Sequence, residues 1–273
     1  MTSPKDHTKP ILVIGSTGKT GKRILSKLQD KGVPVRQGSR SSHPAFDWEQ
    51  PSSWEAALVG VETVYLTYYP DLAVPAAPAA ISNFCKEARR LGTKHIVLLS
   101  GRGEPAAQHC EAIVMTSGMN WTVIRASWFN QNFSEGAFAD LVESGTIALP
   151  VSDVGEPFID VDDIADVAVA ALTEAKHQGQ LYEVTGPRLL SFRDVAKELS
   201  QGLNRDIQFV PVSMAQFTTE MLKQGTPQGA LAMLEFLFQE VLDGRNAVIS
   251  DGVQRALGRP AKDFSDYAFG LPR

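Results

Sequence analysis

The sequence predicts an α/β fold, a parallel sheet with helices on both faces, followed by a smaller mixed C-terminal lobe. Three observations predict it. Short apolar runs recur through the first two thirds of the chain, separated by segments of helical period. These runs are continuous rather than alternating, as strands buried on both faces require. A glycine-rich turn joins the first run directly to the first helical segment.

The elements follow in order. Ile11-Leu12-Val13-Ile14 reads as a buried strand. Ile24, Leu25 and Leu28 then recur at helical spacing, and Gly32 stands where a helix C-cap belongs. Val33-Pro34-Val35-Arg36 is a second short strand, weakened by a proline that has no N–H to donate. Ser52-Ser53-Trp54-Glu55 matches a capping box, opening a helix that ends near Gly60. Thr63 to Thr67 is a third strand, Ala76 to Leu91 a long helix closed by Gly92, and His95 to Leu99 a fourth strand. A helix over 106–117 precedes the strand Trp121 to Arg125. The order loosens after Ser127. Asp162 or Asp163 is expected to cap a helix over Ile164 to Ala175, and Leu181 to Thr185 is a strand. Ser191-Phe192-Arg193-Asp194 opens another helix, with Val195, Leu199 and Leu203 at helical spacing. Ala215 to Leu242 is mainly helical and rich in Met and Phe. The expected division is a dinucleotide-binding domain over 1–155, with sheet contributions from later segments, and substrate-lobe segments over 156–273, interleaved with the sheet.

Bulk properties narrow the function. The 273 residues are 43% apolar, enough for a full core, and the net charge is −5. A mildly acidic chain has no overall field to draw in nucleic acid or anionic membrane, so neither is an expected partner. No apolar run approaches the ~20 residues of a membrane helix, and the polar first ten residues lack a secretory apolar segment. Cys85 and Cys110 read as free thiols of a reducing compartment. The expected location is the cytoplasm.

Gly15-Ser16-Thr17-Gly18-Lys19-Thr20-Gly21 lies between the first strand and the first helix. Gly15 permits a tight turn, Gly18 lets backbone approach a pyrophosphate, and Gly21 lets helix and strand pack closely. Helix N–H groups and the helix dipole then favour the anion. The fold expected is a Rossmann-like doubly wound sheet. After the second strand comes Gly38-Ser39-Arg40-Ser41-Ser42, with no carboxylate to receive a ribose 2′-hydroxyl. Arg40, with Ser39 beside it, suits a 2′-phosphate through charge-assisted bonds. The expected cofactor is therefore NADP(H); Arg36 is the weaker alternative.

Several stretches together resemble the NmrA-like group of atypical short-chain dehydrogenase/reductases, with likeness to ergot-alkaloid reductase and quinone reductase members. They are the glycine loop, the Arg40 position, Phe46-Asp47-Trp48, Ser117 to Arg125 (S-G-x-x-W-T-x-I-R), Asn130-Gln131-Asn132-Phe133, Tyr182 to Pro187, and Gly258-Arg259-Pro260 through Asp266-Tyr267. The resemblance covers nearly the whole chain. It implies NADP along the C-terminal edge of the sheet and a small lobe over the nicotinamide. It also implies Asp47 and Trp48 near adenine, Thr67, Tyr68 and Tyr69 along ribose and pyrophosphate, and Ser100 toward the nicotinamide.

The chemistry departs from the common pattern. The usual short-chain reductase acid is Tyr-x-x-x-Lys. No Tyr here has a Lys four residues on, and no Lys occurs between Lys94 and Lys176. Two readings follow. In the first, the protein passes hydride to an acceptor that needs no strong acid, such as an iminium or a quinone, with orientation supplying the acceleration. In the second, it is a non-catalytic NADP sensor acting through a protein partner, as NmrA-like regulators are. Candidate catalytic residues are Ser100, Tyr68 and Glu111, although a solvated helix face is the more ordinary reading of Glu111 and His109. Trp128, Phe129 and Asn132 are candidate substrate-pocket residues, with Phe133 beside them. Asp160, Asp162 and Asp163 read as helix-capping rather than metal-binding, and the five histidines share no ligand spacing; no metal is expected.

Overall fold

The computed structural model describes residues 8–136 and 138–272. Residues 8–126 supply β1 (Ile11–Ile14), α1 (Lys19–Asp30), β2 (Val35–Gly38), α2 (Trp54–Leu58), β3 (Thr63–Leu66), α3 (Ala77–Arg90), β4 (His95–Gly101), α4 (Pro105–Met115) and β5 (Asn120–Ala126). There follow α5 (Ala139–Glu143), β6 (Thr146–Leu149), α6 (Val161–Thr173), β7 (Gln180–Val184), α7 (Phe192–Leu203) and β8 (Gln208–Pro211). The chain ends with α8 (Met214–Lys223), α9 (Gln228–Phe236), α10 (Gly252–Leu257) and α11 (Phe264–Phe269).

These elements form two compact units. The first is 1–126, 161–184 and 251–259; the second is 127–160, 185–250 and 260–273. The chain interleaves between the two units, and segments after residue 160 return to the first. The physical reason is that β7 completes the large sheet by pairing in parallel with β5, so the chain must return after its excursion.

The first unit is a six-stranded sheet of order β2-β1-β3-β4-β5-β7, parallel throughout. Its strands read as continuous apolar runs because both faces are covered. Leu12, Ile14, Val64, Leu66, Ile96 and Leu98 share a core with Trp54, Leu58, Ile81, Phe84 and Val114 of α2, α3 and α4. The alternate residues Ile11, Val13, Tyr65 and Val97 are equally buried, on the opposite face. On one side of the sheet α1 lies against α6. Lys27 pairs with Asp166 at 2.8 Å, and Arg259 reaches both Asp163 (2.7 Å) and Asp166 (2.5 Å). Asp162 and Asp163, read from the sequence as helix-capping, also make ion pairs on this face. The helix starts at Val161, three residues before Ile164, so both carboxylates stand in its first turn and serve as ion-pair partners. Asp160 accepts a hydrogen bond from the Gln131 amide at 3.2 Å.

Two further local expectations are corrected. The second strand runs over Val35–Gly38 rather than 33–36; Pro34 precedes it and gives its carbonyl to the Ile11 N–H. The capping box at Ser52–Glu55 does not form. Ser53 is the N-cap residue without a side-chain cap bond, because its hydroxyl donates to Gln50 O at 2.7 Å and receives the Asp47 N–H at 3.0 Å. By contrast, the box at Ser191 and Asp194 is complete.

The second unit has a two-stranded parallel sheet, β6 with β8, over an aromatic core. Phe133, Phe138, Phe158, Phe192, Phe238 and Phe264 are all buried in it.

Candidate functional site

The glycine loop is assembled from backbone first. Gly15 has φ +70°, a conformation costly for any residue with a Cβ. A Cβ there would also stand 2.6 Å from Thr67 Oγ1. A Cβ on Gly21 would lie 2.1 Å from the Gly15 carbonyl oxygen, so the first turn of α1 sits directly on the loop. The Gly18 N–H serves the loop itself. It donates to Gly15 O at 2.9 Å, closing the turn. The amides that remain are those of the helix's first turn. A helix leaves its first N–H groups unsatisfied, and those of Thr20 and Gly21 have no backbone acceptor among the described residues. Tyr65, fully buried, donates its hydroxyl to Thr20 Oγ1 at 3.0 Å and fixes this turn to β3. Burial pushes its phenol above the usual range. The Ser16 hydroxyl is buried with no partner. A buried orphan oxygen beside open helix amides, in a cradle that any Cβ would fill, fits a phosphate anion.

The segment after β2 supplies the second contact. Arg40 is exposed and has no hydrogen-bond or ion-pair partner among the described residues. Arg36, the weaker alternative, is committed elsewhere: it donates to the carbonyls of Ala57 and Val59 at 2.9 and 2.6 Å. Ser39 and Ser41 share a hydroxyl contact of 3.2 Å, and the Ser39 N–H reaches Ser42 Oγ at 3.0 Å, which shapes the loop that presents Arg40. Trp48 donates its indole N–H to Thr67 O at 3.1 Å and packs 4.9 Å from the Tyr68 ring. Asp47 accepts the Glu49 N–H at 3.0 Å on its carboxylate and the Trp54 indole N–H at 2.8 Å on its carbonyl. These bonds lock the loop after β2 to the loop after β3.

At this point the comparisons with known proteins become decisive. The profile of the NAD(P)H-binding family matches residues 15–175. Agroclavine dehydrogenase of Claviceps fusiformis is 32% identical over 280 residues, covering 94% of this chain and 95% of that one. The chain belongs to the NAD(P)H-binding, NmrA-like family. Two solved structures share its fold. The NADPH-dependent quinone oxidoreductase QOR2 of Escherichia coli, complexed with NADPH, aligns with TM-score 0.79, 22% identity, 94% of this chain and 98% of that one. NmrA, a negative transcriptional regulator in complex with NADP, aligns with TM-score 0.74, 18% identity, 97% and 96%.

In this NmrA-like chain the ends of β4 and β5 hold a polar network. Ser100 is buried and donates to Glu111 Oε1 at 2.6 Å. Arg125 grips Glu111 with two bonds, at 3.0 and 2.5 Å, and reaches Glu183 at 3.1 Å. The solvated face allowed for Glu111 is therefore corrected: its side chain is 3% exposed. The strand β5 brings Arg125 under α4 and makes burial tolerable through a bidentate pair. His109, one turn away from that face, is exposed. Bonding to Glu111 raises the Arg125 guanidinium further above its already high value. Glu111 thus accepts the Ser100 hydroxyl while Arg125 holds it in place, which orients Ser100. Tyr69 is 79% exposed, whereas Tyr68 is half-buried against Trp48, and burial raises its phenol.

Two residues escaped the sequence reading. Glu104, at the N-cap of α4, is buried, and its Oε2 has no partner. A Cβ on Gly101 would touch its Oε1 at 2.3 Å. It shares a hydrogen bond with Asp71, and burial, reinforced by that neighbour's charge, pushes its carboxyl up to about 9. Nothing in the local pattern marks it; only the spacing of polar residues just past β3 and β4 hinted at such a meeting. Asn130, in the second unit, is fully buried with both amide atoms unpartnered. Within that unit Trp128 stacks on Phe138 at 5.9 Å and approaches Phe238 at 5.8 Å. Phe129 bridges Ile159, and the Asn132 N–H donates to Phe129 O at 3.1 Å. Among the described residues no group of His, Cys, Asp and Glu could hold a metal ion, and no helix is long and apolar enough to cross a membrane.

Proposed function

We propose that the chain is an NADPH-dependent oxidoreductase that delivers hydride to a small organic acceptor, such as an iminium or a quinone, without a Tyr-x-x-x-Lys acid. The observation that carries this reading is the juxtaposition on one sheet edge of a phosphate cradle at Gly15–Gly21 and an unpaired Arg40 on the neighbouring loop. The first-turn amides and Ser16 Oγ would hold the diphosphate. Arg40 and Ser39 would hold the 2′-phosphate, where an acidic residue would repel it. Thr67 and Tyr68, tied to Trp48, would border the ribose. The reduced nicotinamide supplies the hydride. Ser100, fixed by Glu111, presents its oxygen at the end of β4.

Catalysis is favoured over the sensor reading because the likeness to a dehydrogenase extends over 94% of the chain at 32% identity. The likeness to a regulator, at 18%, speaks for the fold alone. The test is NADPH oxidation against a panel of quinones and cyclic iminium ions. Turnover with any of them supports the enzyme. Tight NADPH binding with no turnover across the panel supports a sensor acting on a protein.

A further inference from the structure

The carboxyl pair Asp71–Glu104 lies outside the roles assigned so far. Both residues leave the C-terminal edge of the parallel sheet, Asp71 in the loop after β3 and Glu104 in the loop after β4. That is the edge where β1 delivers the glycine loop. Thr67 joins the two regions: its hydroxyl lies 2.6 Å from where a Gly15 Cβ would be, and Asp71 is four residues further on. The Cys110 thiol donates to Leu72 O at 3.6 Å, which ties the loop of Asp71 to α4. The Ala73 N–H donates to Asp71 Oδ1 at 2.7 Å and so fixes that carboxyl beside Glu104. Glu104 is the buried member. One of its oxygens meets Asp71 and the other meets nothing, a costly arrangement for a carboxylate and a tolerable one for a neutral acid.

We propose that Glu104, sharing one proton with Asp71, is the proton donor that stands in for the missing tyrosine, so that acceptors taking up a proton with the hydride are within this site's reach. The inference rests on the hydride-transfer reading. For a quinone, the acceptor gains two electrons and one hydrogen as hydride, and the nicotinamide is oxidised. The developing oxyanion takes its second hydrogen from Glu104 as the O–H bond of the carboxyl breaks. The product is the hydroquinone, and Glu104, left as a carboxylate beside Asp71, regains a proton from water. The groups facing this pair set its titration. Asp71 and Glu111 both disfavour a negative charge on Glu104. The arginines of the neighbouring strands do not neutralise it, since Arg125 pairs with Glu111 and Arg102 lies 3.8 Å from Glu183.

The experiment compares wild type, Glu104→Gln and Asp71→Asn. Infrared difference spectra at pH about 7 should show a protonated carboxyl band that Glu104→Gln removes. With menadione, wild-type kcat should fall along an alkaline limb. Glu104→Gln should lower kcat by roughly 100-fold, the usual worth of a positioned acid, and abolish the limb. The loss should exceed the loss on a preformed cyclic iminium, which needs no proton, by at least tenfold. Asp71→Asn removes a like charge, so the limb should shift to lower pH. A missing carboxyl band, or a Glu104→Gln enzyme with the wild-type limb, would overturn the proposal. Wild type that binds NADPH but reduces neither acceptor would instead overturn the hydride-transfer reading beneath it, and the proposal with it.

Discussion

Gly21→Ala puts the tightest demand on the glycine loop. Alanine in place of glycine inside a helix ordinarily stabilises by about 1 kcal/mol. Here the new methyl would sit 2.1 Å from Gly15 O, 2.7 Å from Gly15 C and 3.0 Å from Ser16 Cα, all backbone. No rotamer change relieves a clash with backbone. The loop must move, and the Gly18 N–H to Gly15 O bond of 2.9 Å lies in the part that moves. Overpacking costs ~1–3 kcal/mol, and a lost hydrogen bond adds about 1 kcal/mol. The clash outweighs the propensity gain, leaving a net loss of about 1–3 kcal/mol. The affinity for NADPH should fall at least ~10-fold, since the displaced loop presents the amides. Gly229→Ala is the control, because a Cβ there, in α9, meets nothing within 4 Å. It should be neutral or stabilising by up to about 1 kcal/mol. Urea unfolding and calorimetric titration with NADPH read both effects. A Gly21→Ala protein as stable as Gly229→Ala, with undiminished NADPH affinity, would refute the reasoning.

Two other outcomes follow from the buried carboxyls. Glu111→Gln leaves Arg125 without its bidentate partner in a half-buried site and should cost about 3–5 kcal/mol in denaturant unfolding; a loss under ~1 kcal/mol would contradict the buried pair. Glu104 keeps its proton in the folded chain up to about pH 9, against 4.5 ordinarily. The stability it contributes is therefore complete below about 4.5 and is lost as pH rises toward about 9, at up to ~1.4 kcal/mol per pH unit. Glu104→Gln has no such loss, so unfolding titrations from about pH 5 to about pH 8.5 should show it gaining at least ~2 kcal/mol on wild type; a constant difference would contradict the burial of that group.

Much of the first unit was legible because periodicity reports burial. Ile11–Ile14 and His95–Leu99 are apolar on both faces, and Gly15, Gly18 and Gly21 are spaced as a helix-start turn demands. The errors arose where partners are distant. Ser52 and Glu55 matched a capping pattern, yet the helix takes Ser53 as its N-cap, and Asp47 and Gln50 claim that hydroxyl. Glu111 looked solvated because its partner, Arg125, lies on a different element. Glu104 was invisible because its environment is made by Asp71, 33 positions earlier in sequence. The pair β6 and β8 was missed because β8 is largely exposed and gives no alternation. The spacing could not say which amides of the loop stay open: the Gly18 N–H closes the turn on Gly15, and those of Thr20 and Gly21 lie two and three residues on.

The most direct test of the account is calorimetric titration of wild type and Arg40→Ala with NADPH and with NADH. The account predicts that wild type prefers NADPH, and that Arg40→Ala loses a charge-assisted phosphate contact of about 1.5–3 kcal/mol, roughly 10- to 100-fold, for NADPH alone. Equal losses for both nucleotides, or no heat with either, would contradict it.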